Sequence, residues 1–147
     1  MGSYFEIECL RNDFFGAVVV EEDMENLNKN QFILSTLQFK LVVGKSVREP
    51  QYFDIPCDGK VITYLRRCKL GEQINPHINR PYNVGWWYNS IKRIFKKTGR
   101  ELEQGFCNYL RIAKAKWIDE LDISIWEKKK MHERMNHSFL TTIQYYL

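Results

Sequence analysis

Apolar and polar residues alternate through the first half of the chain and recur at helical spacing through the second. In 4–9 the apolar Phe5, Ile7 and Cys9 alternate with Glu6 and Glu8, the period of a strand with one wet face. Arg11, Asn12 and Asp13 form a turn, and 14–20 is rich in β-branched and aromatic residues, which predicts a second strand. Residues 21–30 are polar and acidic and read as a loop or short helix. Alternation returns over 31–43, with Ile33, Leu37, Phe39, Leu41 and Val43 on one side. Pro50 breaks the chain before a short extended piece, 52–55, that stops at Pro56. Residues 60–69 fit either period. Val61, Ile62, Thr63 and Tyr64 favour a strand, the reading adopted, while Val61, Tyr64, Leu65 and Cys68 also share a helical face.

Residues 75–83 hold two prolines and three asparagines and form the clearest loop. Beyond it, Trp87, Ile91, Ile94 and Phe95 make a helical stripe that ends at Gly99. Thr98 and Glu101 have capping-box spacing for a second helix, with Leu102, Phe106, Tyr109, Leu110, Ala113 and Trp117 as its stripe. Ser124 and Glu127 open a third helix that runs to about Asn136. The tail, 139–146, is rich in β-formers and reads as a candidate last strand. The expectation is an α+β fold in one domain, 1–147: an N-terminal antiparallel β-sheet over 1–74, then about three helices packed on it over 84–147.

Composition adds three exclusions. The chain has 147 residues, 44% hydrophobic and 27% charged, enough for one buried core and wrong for a disordered chain. Its longest apolar run, 14–20, is far too short to span a bilayer, and no basic segment precedes an apolar one as a secretory leader requires. Cys9, Cys57, Cys68 and Cys107 show no C-x-x-C pair and are too sparse for a disulfide scaffold, so they are expected as reduced thiols in a cytoplasmic protein.

The motifs that could carry chemistry fail on spacing. Gly44-Lys45-Ser46 ends like a phosphate-binding loop, but Phe39 stands where its first glycine belongs. His132 and His137 are five apart, and five steps of about 100° carry the second ring off the first one's face. Glu127 and Lys129 match a nuclease-like spacing, though on a predicted helix where a strand is needed. Glu6 and Glu8 share one side of a predicted strand, which reads as a solvated face. No catalytic residue, metal ligand or cofactor is assigned.

The charges, in contrast, are segregated. Residues 1–57 carry a net −4, 58–116 a net +9 and 117–147 a net −1. Within the basic middle, Lys92, Arg93, Lys96, Lys97 and Arg100 fall on one face of the first predicted helix, opposite Trp87, Ile91 and Phe95. Arg66, Arg67, Lys69, Arg80, Arg111, Lys114 and Lys116 are candidates to extend it. Tyr82 and Trp86 flank the patch and are aromatic contact candidates. Like charges at i, i+4 repel by a few tenths of a kcal/mol per pair, a cost that an anionic partner would offset. The expectation is a non-enzymatic protein-binding module of inhibitor or immunity type. It would engage an acidic protein partner, not a membrane, through Arg80, Tyr82, Trp86, Lys92, Arg93, Lys96, Lys97 and Arg100. The alternative is a nucleic-acid-binding protein that uses the same face.

Overall fold

A computed structural model of the chain describes residues 3, 6–8, 10, 12–14, 16–44, 47–73, 84–101 and 106–135, with side chains placed from residue 89 in the second of these helices and from 108 in the third. Four strands, β1 (Val18–Val20), β2 (Gln31–Ile33), β3 (Gln38–Leu41) and β4 (Gln51–Asp54), form one sheet in chain order. Helices follow: α1 (Lys60–Leu65), α2 (Val84–Lys97), α3 (Phe106–Glu120) and α4 (Ile125–Arg134). This is the expected α+β order. The expected last strand lies in 139–146, outside the described residues.

The sheet is mixed rather than antiparallel: β1 runs parallel to β2, and the other two pairs are antiparallel. Residues 21–30 make that possible by carrying the chain back to the start of β2. Asn30 closes the return. Its Nδ2 donates to the carbonyls of Asp13 (2.9 Å) and Val43 (2.8 Å), and its Oδ1 accepts from the N–H groups of Val42 (2.8 Å) and Val43 (2.7 Å). One buried amide thus uses both donors and both lone pairs of its oxygen to tie three backbone segments. Gln31 clasps the same loop through the Met24 backbone, donating to its carbonyl and accepting from its N–H. The outer edge of β1 is met by 71–73, where the Gly71 N–H donates to the Val19 carbonyl (2.8 Å).

Three other expectations change. The single strand expected over 31–43 is a hairpin, because Leu34–Leu37 turns with Leu37 at φ +51. A left-handed leucine is uncommon. It is held here by its carbonyl, which accepts from the Ile55 N–H at 2.7 Å, and by its side chain against the core. Residues 60–65 are helix, not strand, burying Val61, Ile62 and Leu65. The strand expected over 4–9 is not seen at its described residues, 6–8: Ser3 and Glu6 have helical backbone, and the Ile7 N–H donates to the Ser3 carbonyl. The last two corrections share a cause. Both Glu6 carboxylate oxygens accept from the first turn of α1, the N–H groups of Lys60 and Val61, at 2.9 Å each. The acid meets orphan donors at a helix start, which stabilises both segments as helical. Gly59 permits the approach, since a Cβ there would stand 2.3 Å from a Glu6 oxygen.

The core lies on one face of the sheet. Val19, Phe32, Phe39 and Phe53 stand opposite one another across all four strands. Phe14 closes on Phe39 at 4.7 Å between ring centroids, and α1 seals the face with Val61, Ile62 and Leu65. On the other face, Lys40 is buried and paired with Asp23, whose second oxygen accepts from the Tyr52 hydroxyl at 2.7 Å. Burial alone would push the Asp23 carboxyl up; the hydrogen bonds from Lys40 and Tyr52 hold it below its ordinary value.

The helical half has its own small core of Ala115, Ile118 and Met135. Leu110 packs against both cores. Beside it, Glu8, 4% exposed, forms ion pairs with Lys114 of α3 and Arg134 of α4. Two variants test these joints. Asn30→Asp would set a carboxylate against two carbonyl oxygens, and a loss of about 2–4 kcal/mol is expected from chemical denaturation. Glu8→Gln is expected to cost about 1–3 kcal/mol by the same measurement, below the loss typical of a fully buried pair because Lys114 and Arg134 retain access to water.

Candidate interaction surface

Helix α2 ends as its sequence demands. Gly99 takes φ +73, its N–H donates to the Lys96 carbonyl, and the Arg100 N–H donates to the Phe95 carbonyl at 3.2 Å. These two bonds form a Schellman stop, with glycine at the left-handed position. Thr98 does not open the next helix as its capping-box spacing suggests. Its hydroxyl donates backward to the Phe95 carbonyl at 2.7 Å and so serves the end of α2. Ser124 and Glu127 do form the expected reciprocal box at the start of α4.

The inward packing of Ile91 and Phe95 sets which side chains of α2 face outward. Ile91 is buried, and Phe95 packs edge-on against Tyr109 of α3 with 6.0 Å between centroids. Lys92, Arg93, Lys96, Lys97 and Arg100 are all exposed. Arg93, Lys96, Lys97 and Arg100 have no acidic partner among the described residues. Ile94, expected in the inward stripe, is instead 50% exposed among these cations. Arg80 and Tyr82 lie outside the described residues. The backbone of Trp86 lies within α2, and its side chain is outside the described set.

Two candidates to extend the basic surface are engaged elsewhere. Arg111 is fully buried, and Lys114 is paired with Glu8. The inward face of α3 is therefore Leu110, Arg111, Ala115 and Ile118; of the expected stripe Leu110 faces inward and Tyr109, Ala113 and Trp117 are exposed, while Leu102 and the Phe106 side chain lie outside the described residues. For Lys114 the partner is Glu8, an acid more than a hundred residues away in sequence. Glu6 and Glu8 correspondingly leave the solvated face expected of them, one capping α1 and the other buried. Arg66, Arg67 and Lys116 are exposed, and Lys69 faces Glu72 at 3.8 Å.

Other chemical candidates resolve as structure. Asp13 places a carboxylate oxygen 2.8 Å from where a Cβ on Gly44 would stand, an unfavourable neighbour for a bound phosphate. Cys57 and Cys68 are free thiols. No group of three or more metal-ligating side chains occurs among the described residues. None of the described helices is long and apolar enough to cross a membrane. Comparison with protein-family models, curated proteins and solved structures gave no match.

His132 is fully buried on α4. Burial pushes its imidazole below the ordinary value of 6.5, and Asp119 offsets this only in part. The folded protein therefore holds His132 neutral at pH values where the unfolded chain binds a proton. Stability from this group is present above pH 6.5 and is lost as pH falls through the lowered folded value. Calorimetric melting is expected to show a falling midpoint from pH 7 to about 5.5, with a slope of at most about 1.4 kcal/mol per pH unit for one proton. His132→Leu should flatten that dependence.

Proposed function

We propose that the protein is a non-enzymatic protein-binding module of inhibitor or immunity type, and that the α2 face neutralises an acidic protein partner. The observation that carries this reading is Ile94, half exposed among Lys92, Arg93, Lys96, Lys97 and Arg100. A surface built for phosphates needs only cations and polar donors. A protein surface is met by apolar contact at its centre and charge around it, which sets register and speeds encounter. Tyr109, 44% exposed, adds aromatic area beside that centre through its packing on Phe95. Arg80, Tyr82 and Trp86 are included in the proposed surface on sequence grounds. The reading includes a cytoplasmic setting, which the free thiols of Cys57 and Cys68 support.

Two parallel titrations test the reading. Immobilised wild-type protein should retain a specific acidic protein from lysate of its source, and the triple variant Arg93→Glu, Lys96→Glu, Lys97→Glu should lose it. Ile94→Asp should weaken the same capture, whereas phosphate binding would be far less sensitive to the isoleucine. The opposing result is binding of mixed-sequence DNA or RNA that falls about a hundredfold between 50 and 200 mM salt, as about four phosphate contacts would produce. That result, with protein capture indifferent to the triple variant, would replace the protein reading with a nucleic-acid one.

A further inference from the structure

At the turn joining α3 to α4, the surface has the opposite character to α2. Trp117, Ile123, Ile125 and Trp126 are exposed by 50%, 36%, 65% and 67%. Between and beside them lie four exposed acids, Asp119, Glu120, Asp122 and Glu127, and residues 117–127 contain no lysine or arginine. The tip is a built feature. Lys128 Nζ donates to the Asp119 carbonyl at 2.6 Å, holding the start of α4 against the end of α3, and the Ser124–Glu127 box fixes the first turn of α4. Apolar groups this exposed and this close in sequence point to contact with another surface. Lys129 covers part of the Trp126 ring at 5.1 Å, with Glu133 at 3.9 Å from its ammonium group.

The α2 face supplies what this tip lacks. Residues 92–100 contain five cations and no acid, with Ile94 exposed at the centre and Tyr109 beside it. One surface is apolar and acidic at its turn, with Lys116, Lys128, Lys129 and Lys130 on its flanks; the other is basic and apolar. They do not sit together within one chain. Phe95 places the basic end of α2 beside Tyr109, and Trp117 lies eight residues further along α3, about 12 Å away by helical rise, with the rest of the tip beyond it.

We propose that the α3–α4 tip of one copy docks on the α2 face of a second copy. This rests on the reading of that face as a protein-docking surface. The contact uses different patches on the two partners, so it is head-to-tail. Each added copy presents a new tip and a new face, and assembly continues unless the ring closes. The cations would meet the acids at the rim, and Ile94 and Tyr109 would meet the tip's tryptophans and isoleucines.

Sedimentation velocity of the full chain across a concentration series tests this. Wild type should grow in mass with concentration beyond a dimer, and added salt should reverse the growth by screening the rim charges. A tip variant, Glu120→Lys with Asp122→Lys, and a face variant, Arg93→Glu with Lys96→Glu and Lys97→Glu, should each weaken association about tenfold or more. All five positions are exposed, and circular dichroism melting should confirm that both variants keep the fold. Mixed together, the two variants should associate more strongly than either does alone, because the intact face of the tip variant meets the intact tip of the face variant.

A wild type that stays monomeric at every concentration would overturn the proposal. So would variants that associate like wild type, or a mixture that stays monomeric although wild type assembles. The two readings fail separately. Loss of captured partner in the face variant, without any self-association of wild type, sinks only the head-to-tail contact. Association and capture that both survive the face variant sink the α2 surface itself.

Discussion

A carboxylate taken out of water must be answered by cations or it destabilises the fold. Glu8 is such a group, 4% exposed, and Lys114 and Arg134 answer it from two different helices. Both can reach one carboxylate only when α3 and α4 lie together and the N-terminal segment lies against them. The ion group therefore reports on the packing of three segments at once. Leu110 supplies the apolar part of the same joint by packing into both cores. The helices are small on their own, with only Ala115, Ile118 and Met135 buried in their separate cluster. The charged joint and that small core together hold them in place.

The sheet half uses polar groups in the same way. Asn30 supplies four hydrogen bonds where the returning loop, the turn at Asp13 and the end of β3 converge. Glu6 caps α1, and Asp23 with Tyr52 answers the buried Lys40. Between these polar fastenings lies the aromatic row of Phe32, Phe39 and Phe53, each opposite the next across the strands. The apolar row supplies most of the burial, and the polar groups decide which segments may cover it. That division explains how short strands hold a mixed sheet, since the connections between them are fixed by side chains.

Elements whose signals are local could be read from the sequence. Gly99 stops α2, Ser124 and Glu127 start α4, and the apolar run before Pro56 is a strand. Elements whose determinants are distant could not. The cap of α1 comes from Glu6, 54 residues upstream, so 60–65 lacked a local start signal and its β-branched residues favoured a strand. The hairpin turn contains no glycine, asparagine or aspartate and left 31–43 looking continuous. The inward face of α3 was misplaced because hydrophobicity points at Tyr109 and Trp117, whereas Glu8 draws Lys114 inward. On the candidate surface, the exposure of the α2 cations was legible from their spacing opposite Ile91 and Phe95. The removal of Arg111 and Lys114 from that surface was not, because no window of sequence around them contains their interior setting.

Among the cations that remain outside, Arg93, Lys96, Lys97 and Arg100 have no acidic partner among the described residues. Lys96 and Lys97 occupy the last turn of α2, where the helix dipole favours positive charge. Lys92 and Arg93 lie a turn earlier and gain little from it, while the pairs Lys92–Lys96 and Arg93–Lys97 each cost about 0.2–0.5 kcal/mol in repulsion. Ile94 between them covers no core. The helix dipole therefore accounts for the cations of the last turn and not for Arg93 or the exposed isoleucine. On the opposite end of α3, three exposed acids, Asp119, Glu120 and Asp122, lie in sequence between the exposed Trp117 and Trp126. The proposed docking would account for both: a complementary protein surface would dehydrate the apolar centre and answer the charged rim.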